Sequence, residues 1–165
     1  MRTSTRVATA IPGWDQPELA LGKSAGHLLR RAMQVYTAMW TSTVSDKLTS
    51  PQFAVLAILS AEESLDQQTI GARAGLDKST CGHIVDHLSK LGLVSATIDP
   101  ANRRRKLVTL TEQGHDTLRT AAPLRAQVED TALAALSAQE RRELKRLLTK
   151  MTGLSQPGSN DADSA

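Results

Sequence analysis

Residues 98–114 read IDPANRRRKLVTLTEQG, and the reading of this stretch decides the fold. Four adjacent cations, Arg103, Arg104, Arg105 and Lys106, follow a turn-forming Asp-Pro-Ala-Asn and precede the alternating Leu107-Val108-Thr109-Leu110. Four like charges in a row repel one another, and such a run usually marks a solvated loop. Upstream, Val94 to Ile98 is a second β-prone run, so the Asp-Pro turn joins two strands, Val94–Ile98 and Lys106–Leu110, into a ribbon with a cationic turn. Thr111 then stands as the N-cap of a following helix.

Immediately before the ribbon lies DKSTCGHIVDHLSKL, residues 77–91. At about 100° per residue, Cys81, Ile84, Val85, Leu88 and Leu91 share one arc. Ser79, Gly82, His83, Asp86, His87 and Lys90 share the other, with Thr80 at its border. Asp77 caps this helix and Gly92 closes it. A shorter helix over residues 67–74 precedes it, closed by Gly75. A short helix, a glycine turn and a second capped helix make a helix-turn-helix, and the ribbon behind it makes that motif winged. Further upstream, Thr49-Ser50-Pro51 starts another helix, which carries Phe53, Val55, Leu56, Ile58 and Leu59.

Long helices flank this unit. Over residues 23–45, Leu28, Leu29, Ala32, Met33, Val35, Tyr36, Met39 and Trp40 form one broad apolar arc. His27, Arg30, Arg31, Gln34, Thr41 and Ser45 form the opposite arc. The apolar arc is wider than a surface helix needs, and a second chain packing on it would account for the width. After Thr111, the apolar positions Leu118, Ala122, Val128 and Ala132 continue a helix in which Pro123 predicts a bend. Ser137 to Glu140 is a capping box, and behind it Leu144, Leu147, Leu148 and Met151 make a stripe. Residues 1–20, with Pro12, Gly13 and Pro17, read as an irregular arm, and the polar residues 154–165 as a disordered tail. The expected fold is mainly α with a small two- or three-stranded β wing. One domain spans residues 21–153: a winged helix-turn-helix over 49–111, with dimerisation helices over 21–48 and 112–153.

Composition bounds the function. A chain of 165 residues suggests one domain with extensions. Aromatic residues make up only 2%, which favours helices over a β-sandwich. The net charge of +3 is mild, so its arrangement matters more than its total. One cysteine excludes an intrachain disulfide framework and fits a reducing cytosol. No apolar run approaches the roughly 20 residues a membrane helix needs, and the first residues lack the apolar core of a signal peptide. A cytoplasmic protein with no membrane partner is expected.

The polar arc of residues 77–91 suits a helix entering a DNA major groove by its N-terminus. Lys78, Ser79 and Thr80 stand where they can meet phosphates, helped by the helix N-terminus. His83 and His87 can reach base edges or phosphates. Arg103, Arg104 and Arg105 can lie along the backbone or enter the narrow minor groove, where negative potential is enhanced.

Three stretches carry a resemblance. LTSPQFAVLAIL (48–59), LDKSTCGHIVDHLSKLGLV (76–94) and DPANRRRKLVTLTEQG (99–114) resemble, in order and spacing, the multiple antibiotic resistance regulator (MarR) family of winged-helix transcription factors. The similarity runs from about Gly26 to Met151. It implies a homodimer whose first and last helices intertwine, each protomer offering one recognition helix and one wing to a pseudo-palindromic double-stranded DNA operator. It implies a repressor released by a small phenolic or aromatic-acid effector, with no catalytic residues, no metal and no cofactor. Carried onto this chain, the recognition residues are Ser79, Thr80 and His83, and the wing residues Arg103 and Arg104. The chain departs from the pattern where the family often has acids in the wing turn: here stand Ala101 and Asn102. Ser95 and Ala96 likewise replace charged residues, so no aspartate is expected to brace the wing arginine. His83 stands where arginine is common, which weakens the case for a direct guanine contact.

Other chemistries compete. His83 and His87 at i, i+4, with Asp86 between them, can grip zinc, but a catalytic site needs a third protein ligand. Cys81 can serve as a thiol redox switch, and its place near a helix N-terminus predicts a lowered pKa. The alternative is a small core residue. Residues 26–31 with Gln34 resemble the opening helix of family members tied to aromatic-acid catabolism, including that of hydroxynicotinate. There His27, Arg30 and Arg31 supply cations for a carboxylate and Gln34 a further hydrogen bond; the plain alternative is a solvated helix face or dimer-interface polarity. Met39 and Trp40 read as core.

Overall fold

The computed structural model describes residues 24–45, 47–100 and 102–153, without the side chain of Arg104. The expected N-terminal arm and C-terminal tail lie outside the described residues. Among the described residues, six helices and three strands follow in the order α1 (Ala25–Thr43), α2 (Ser50–Leu59), β1 (Leu65–Asp66), α3 (Gln67–Ala74), α4 (Lys78–Lys90), β2 (Val94–Asp99), β3 (Asn102–Leu110), α5 (Glu112–Ala132) and α6 (Ala138–Thr152).

Local chemistry sets most of these boundaries. The Thr49 hydroxyl accepts from the Gln52 N–H while the Gln52 side chain accepts from the Thr49 N–H, closing a capping box on α2 with Pro51 in its first turn. Ser137 and Glu140 do the same for α6. Asp66, Asp77 and Thr111 cap α3, α4 and α5, each accepting from the N–H three residues on. Gly75 ends α3 at φ +66°, a backbone conformation that side chains with a Cβ resist.

The glycine of the LTEQG stretch has a different reason. A Cβ on Gly114 would run into the Leu93 carbonyl oxygen, so only glycine lets the first turn of α5 lie against the α4–β2 connection. Thr111 holds the same joint: its hydroxyl donates to the Gly92 carbonyl at 2.7 Å while accepting from the Gly114 N–H at 3.0 Å.

The sheet is antiparallel, in the order β1-β3-β2. Val94 pairs with Leu110 and Ile98 with Lys106, and the register slips between Ile98 and Asp99. Residues 65–66 add a third strand opposite Val108 and Leu107. The arginines therefore do not form a turn: Arg103 to Arg105 precede Lys106 within β3, which begins at Asn102. Strand geometry sends successive side chains to opposite faces, which spreads the like charges that argued for a loop.

Leu56, Leu59, Ile70, Val85, Leu88 and Val108 form the centre of the core, each worth about 1.5–3 kcal/mol when fully buried. Trp40 is the one buried residue of α1. Its Nε1–H donates to the Leu48 carbonyl at 2.6 Å, and its ring meets Phe53 edge-on with centroids 5.4 Å apart. Elsewhere α1 runs beside α5, with Leu28, Met33 and Val35 exposed. No residue of α6 is buried, and Met33 and Met151 are 60% and 61% exposed. The expected bend at Pro123 does not divide α5, which continues through it as one helix. Leu91 leaves the buried arc predicted for it: as the C-cap of α4 it keeps the helical bond from its N–H to the His87 carbonyl, but its side chain is exposed. No helix among the described residues is long and apolar enough to cross a membrane.

Candidate nucleic-acid interface

Helix α4 buries Cys81, Val85 and Leu88 and exposes Lys78, Ser79, Thr80, His83, Asp86, His87 and Lys90. Its start is tightly organised. One Asp77 oxygen accepts from the Thr80 N–H at 2.9 Å and the other from the Thr80 hydroxyl at 2.6 Å. The Thr80 hydroxyl, followed by its N–H, holds the Asp77 carboxyl below its ordinary pKa. The Thr80 proton is thus engaged inside the protein, and the hydroxyl offers the outside a lone pair. Ser79, beside it, is exposed.

A groove opens between the start of α3, the start of α4 and the wing strand β3. Gln67, Thr69, Lys78, Asn102, Arg105 and Lys106 border it. It brings Lys78 of the helix and Lys106 of the wing to one concavity. Arg103 lies exposed on β3.

Arg105 is held differently. Its Nη2 lies 2.9 Å from Asp66 Oδ2, and its Nη1 lies 3.9 Å from Asp99 Oδ2. The expectation that no aspartate braces a wing arginine is therefore corrected. An acid within the wing turn is not required, because Asp66 arrives from β1, where it pairs with Leu107 of β3. The Asp66 carboxyl titrates below its ordinary value. The Thr69 N–H is the largest cause, with the Thr69 hydroxyl and the Arg105 guanidinium adding to it against the cost of burial.

The competing chemistries find less support. Among the described residues, no group of three or more His, Cys, Asp or Glu side chains converges to hold a metal, so His83 and His87 stand without a third ligand. Cys81 is buried, with its Sγ 3.4 Å from the Gln67 carbonyl. Burial, then the Asp77 charge, push its thiol pKa up. The lowering expected from the helix N-terminus is reversed, because desolvation of the thiolate outweighs the helix dipole.

On α1, Arg30 donates to His27 Nδ1 at 3.1 Å. Arg30 and Gln34 border a shallow open groove with Met33, Thr37 and Thr41, and neither His27 nor Arg31 lines it. Sequence reasoning missed a more enclosed cleft of about 500 Å³ between the end of α1, the α4–β2 turn and α5. Val44, Leu48, Leu91, Leu93, Ala121 and Leu124 line it, with Lys47 and Asp116 among its polar groups. Its sequence signal was Leu91, an apolar residue at the very end of a capped helix.

A helix-turn-helix (α3–α4) with a three-stranded wing defines a winged helix-turn-helix. The MarR family profile matches residues 48–106. The HTH-type transcriptional repressor NicR of Pseudomonas putida is 35% identical over 138 residues, 83% of this chain and 87% of NicR. The transcriptional regulator PcaV from Streptomyces coelicolor, solved in complex with its natural ligand, superposes with a TM-score of 0.78 at 38% identity, covering 82% of this chain and 96% of PcaV. BpsR of Bordetella bronchiseptica, whose DNA binding is regulated by 6-hydroxynicotinic acid, superposes with a TM-score of 0.72 at 34% identity, covering 77% and 97%. The chain belongs to the MarR family, and it is a DNA-binding transcriptional regulator.

Proposed function

We propose that the protein is a homodimeric repressor that seats α4 in the major groove, lays its wing on the neighbouring backbone or minor groove, and leaves its operator when a small aromatic carboxylate binds. The groove that Lys78 and Lys106 share carries this reading, since it brings a cation of the recognition helix and a cation of the wing to one concavity, an arrangement suited to one stretch of phosphates. Lys78, Ser79, Thr80, His83 and His87 meet DNA from the helix, and Arg103 and Arg104 from the wing. The exposed apolar faces of α1 and α6 support a second copy as their cover. The regulation named for BpsR supports an aromatic acid as effector.

His27, Arg30 and Arg31 share a face of α1, with Gln34 one turn on, and in this reading they hold the carboxylate. The acid acts by favouring a spacing of the two recognition helices that misses successive major grooves. The test is a mobility-shift assay on DNA upstream of the protein's own gene, with metal chelated and thiols reduced. Hydroxylated benzoates and nicotinates are then titrated into the preformed complex. Release that is blunted in Arg31→Ala and His27→Ala, with ligand-free binding intact, supports the site. Equal release from wild type and both variants removes it from α1. The apolar cleft beside Lys47 favours a second position for the effector, and a blunted response in Lys47→Ala alone would place it there.

A further inference from the structure

We propose that Asp66 and Arg105 form a clasp that fixes the wing against the helix-turn-helix, so that Arg105 positions the DNA-binding surface and does not itself contact DNA. The proposal rests on the reading of α4 and the wing as the DNA face. It separates one member of the cationic run from its neighbours.

The carboxylate is the fixed half of the pair. The Asp66 side chain is 15% exposed, against 50% for Arg105. Two bonds already orient it, from the Thr69 N–H at 3.0 Å and the Thr69 hydroxyl at 2.8 Å. A carboxylate offers about four lone-pair directions, so Asp66 can cap α3 and still take the guanidinium at 2.9 Å.

Position gives the pair its leverage. Strand β1 covers β3 only at Leu107 and Val108. Beyond Leu107 the wing continues as a ribbon of two strands, which has little stiffness of its own. Arg105 stands just past the point where the third strand ends. It reaches back to Asp66 on the β1 side, and its second nitrogen approaches Asp99 on the β2 side, where the register slips. Asp66 in turn caps α3, and α3 packs on α4. One carboxylate therefore links the root of the wing to the helices beside it.

Charge separates a clasp from a phosphate contact. A cation that neutralises a phosphate releases counterions, and its removal flattens the log–log dependence of affinity on salt by about one. A guanidinium already paired with a carboxylate releases none. The experiment uses the full chain and fluorescence anisotropy, with an operator duplex and an unrelated duplex, between about 50 and 200 mM salt. Arg105→Met should weaken operator binding by about two- to fivefold, the range of a partly exposed ion pair, with its slope unchanged and a smaller loss on the unrelated duplex. Arg105→Lys, which keeps the charge, should recover part of the loss. Asp66→Asn keeps a capping side chain but frees Arg105; it should weaken operator binding while steepening the slope by about one. Circular dichroism confirms that each variant is folded. A slope flattened by about one in Arg105→Met, or full operator affinity in both Arg105→Met and Asp66→Asn, would overturn the clasp. Arg103→Ala reports on the DNA face separately: if it leaves the slope unchanged, the wing reading fails, whatever Arg105 does.

Discussion

The winged unit and the two terminal helices carry the same kind of sequence pattern and meet opposite fates. In the winged unit, apolar arcs end in a closed core: Val55, Leu56, Ile70, Val85, Leu88 and Val108 are all fully buried. On α1 an even broader arc buries only Trp40, and the Leu144–Met151 stripe of α6 buries nothing. Amphipathicity states that a face will be covered, but not by what. Around α4 the cover is supplied by neighbouring elements of the same chain. For α1 and α6 the proposed cover is a second copy of the chain.

That contrast breaks most visibly at Trp40, the residue that joins the two regions. Trp40→Ala should cost about 3–5 kcal/mol in urea unfolding, the usual loss for a buried aromatic. A loss near zero would mean that α1 is not anchored through this side chain. Next, Met33→Glu combined with Leu147→Glu places charges on the uncovered faces. It should raise the dimer dissociation constant by more than about a hundredfold in sedimentation experiments, at roughly tenfold or more for each desolvated charge, with helicity retained. Unchanged association would show that these faces serve another purpose. Within the winged unit, Thr111→Ala removes both the α5 cap and the bond to the Gly92 carbonyl; a loss of about 1–2 kcal/mol is expected by the same unfolding measurement.

The smallest effect is one of pH. Asp66 is lowered chiefly by the Thr69 N–H, and Glu129 chiefly by its hydrogen bond with Lys145. A carboxyl whose folded pKa lies below its unfolded one stabilises the fold fully above the unfolded value, and that stability is lost as pH falls through the folded value. Stability should therefore hold from neutral pH to about pH 5 and decline below about pH 4. The decline should be shallower in Asp66→Asn. An equal decline would mean that Asp66 is not linked to folding.

The parts of the fold that were legible in sequence are those with local causes. Asp77, Thr111 and Ser137 announce helix starts because a cap bonds within its own first turn, and Gly75 ends a helix by its own backbone freedom. The arginines were misread as a turn because four adjacent like charges argue for a solvated loop, whereas β3 runs on to Asn102 through a register slip between Ile98 and Asp99 that no local spacing announces. The brace on Arg105 was missed because Asp66 lies 39 residues away in sequence. Cys81 was half legible. Its arc predicted burial, but the helix terminus beside it suggested the wrong direction of pKa, since a dipole in the first turn competes poorly with desolvation. The α1 cluster was read from spacing and from a family resemblance; both place His27, Arg30, Arg31 and Gln34 on one face, but only Arg30 and Gln34 border a groove there.

Sedimentation equilibrium of the chain with a labelled duplex from upstream of its own gene tests the central claim most directly. Two chains should bind each operator duplex, with an affinity that falls steeply with salt and exceeds that for a scrambled duplex by at least about a thousandfold. One chain per duplex, or equal affinity for the scrambled sequence, would contradict a dimer that reads DNA through paired recognition helices and wings.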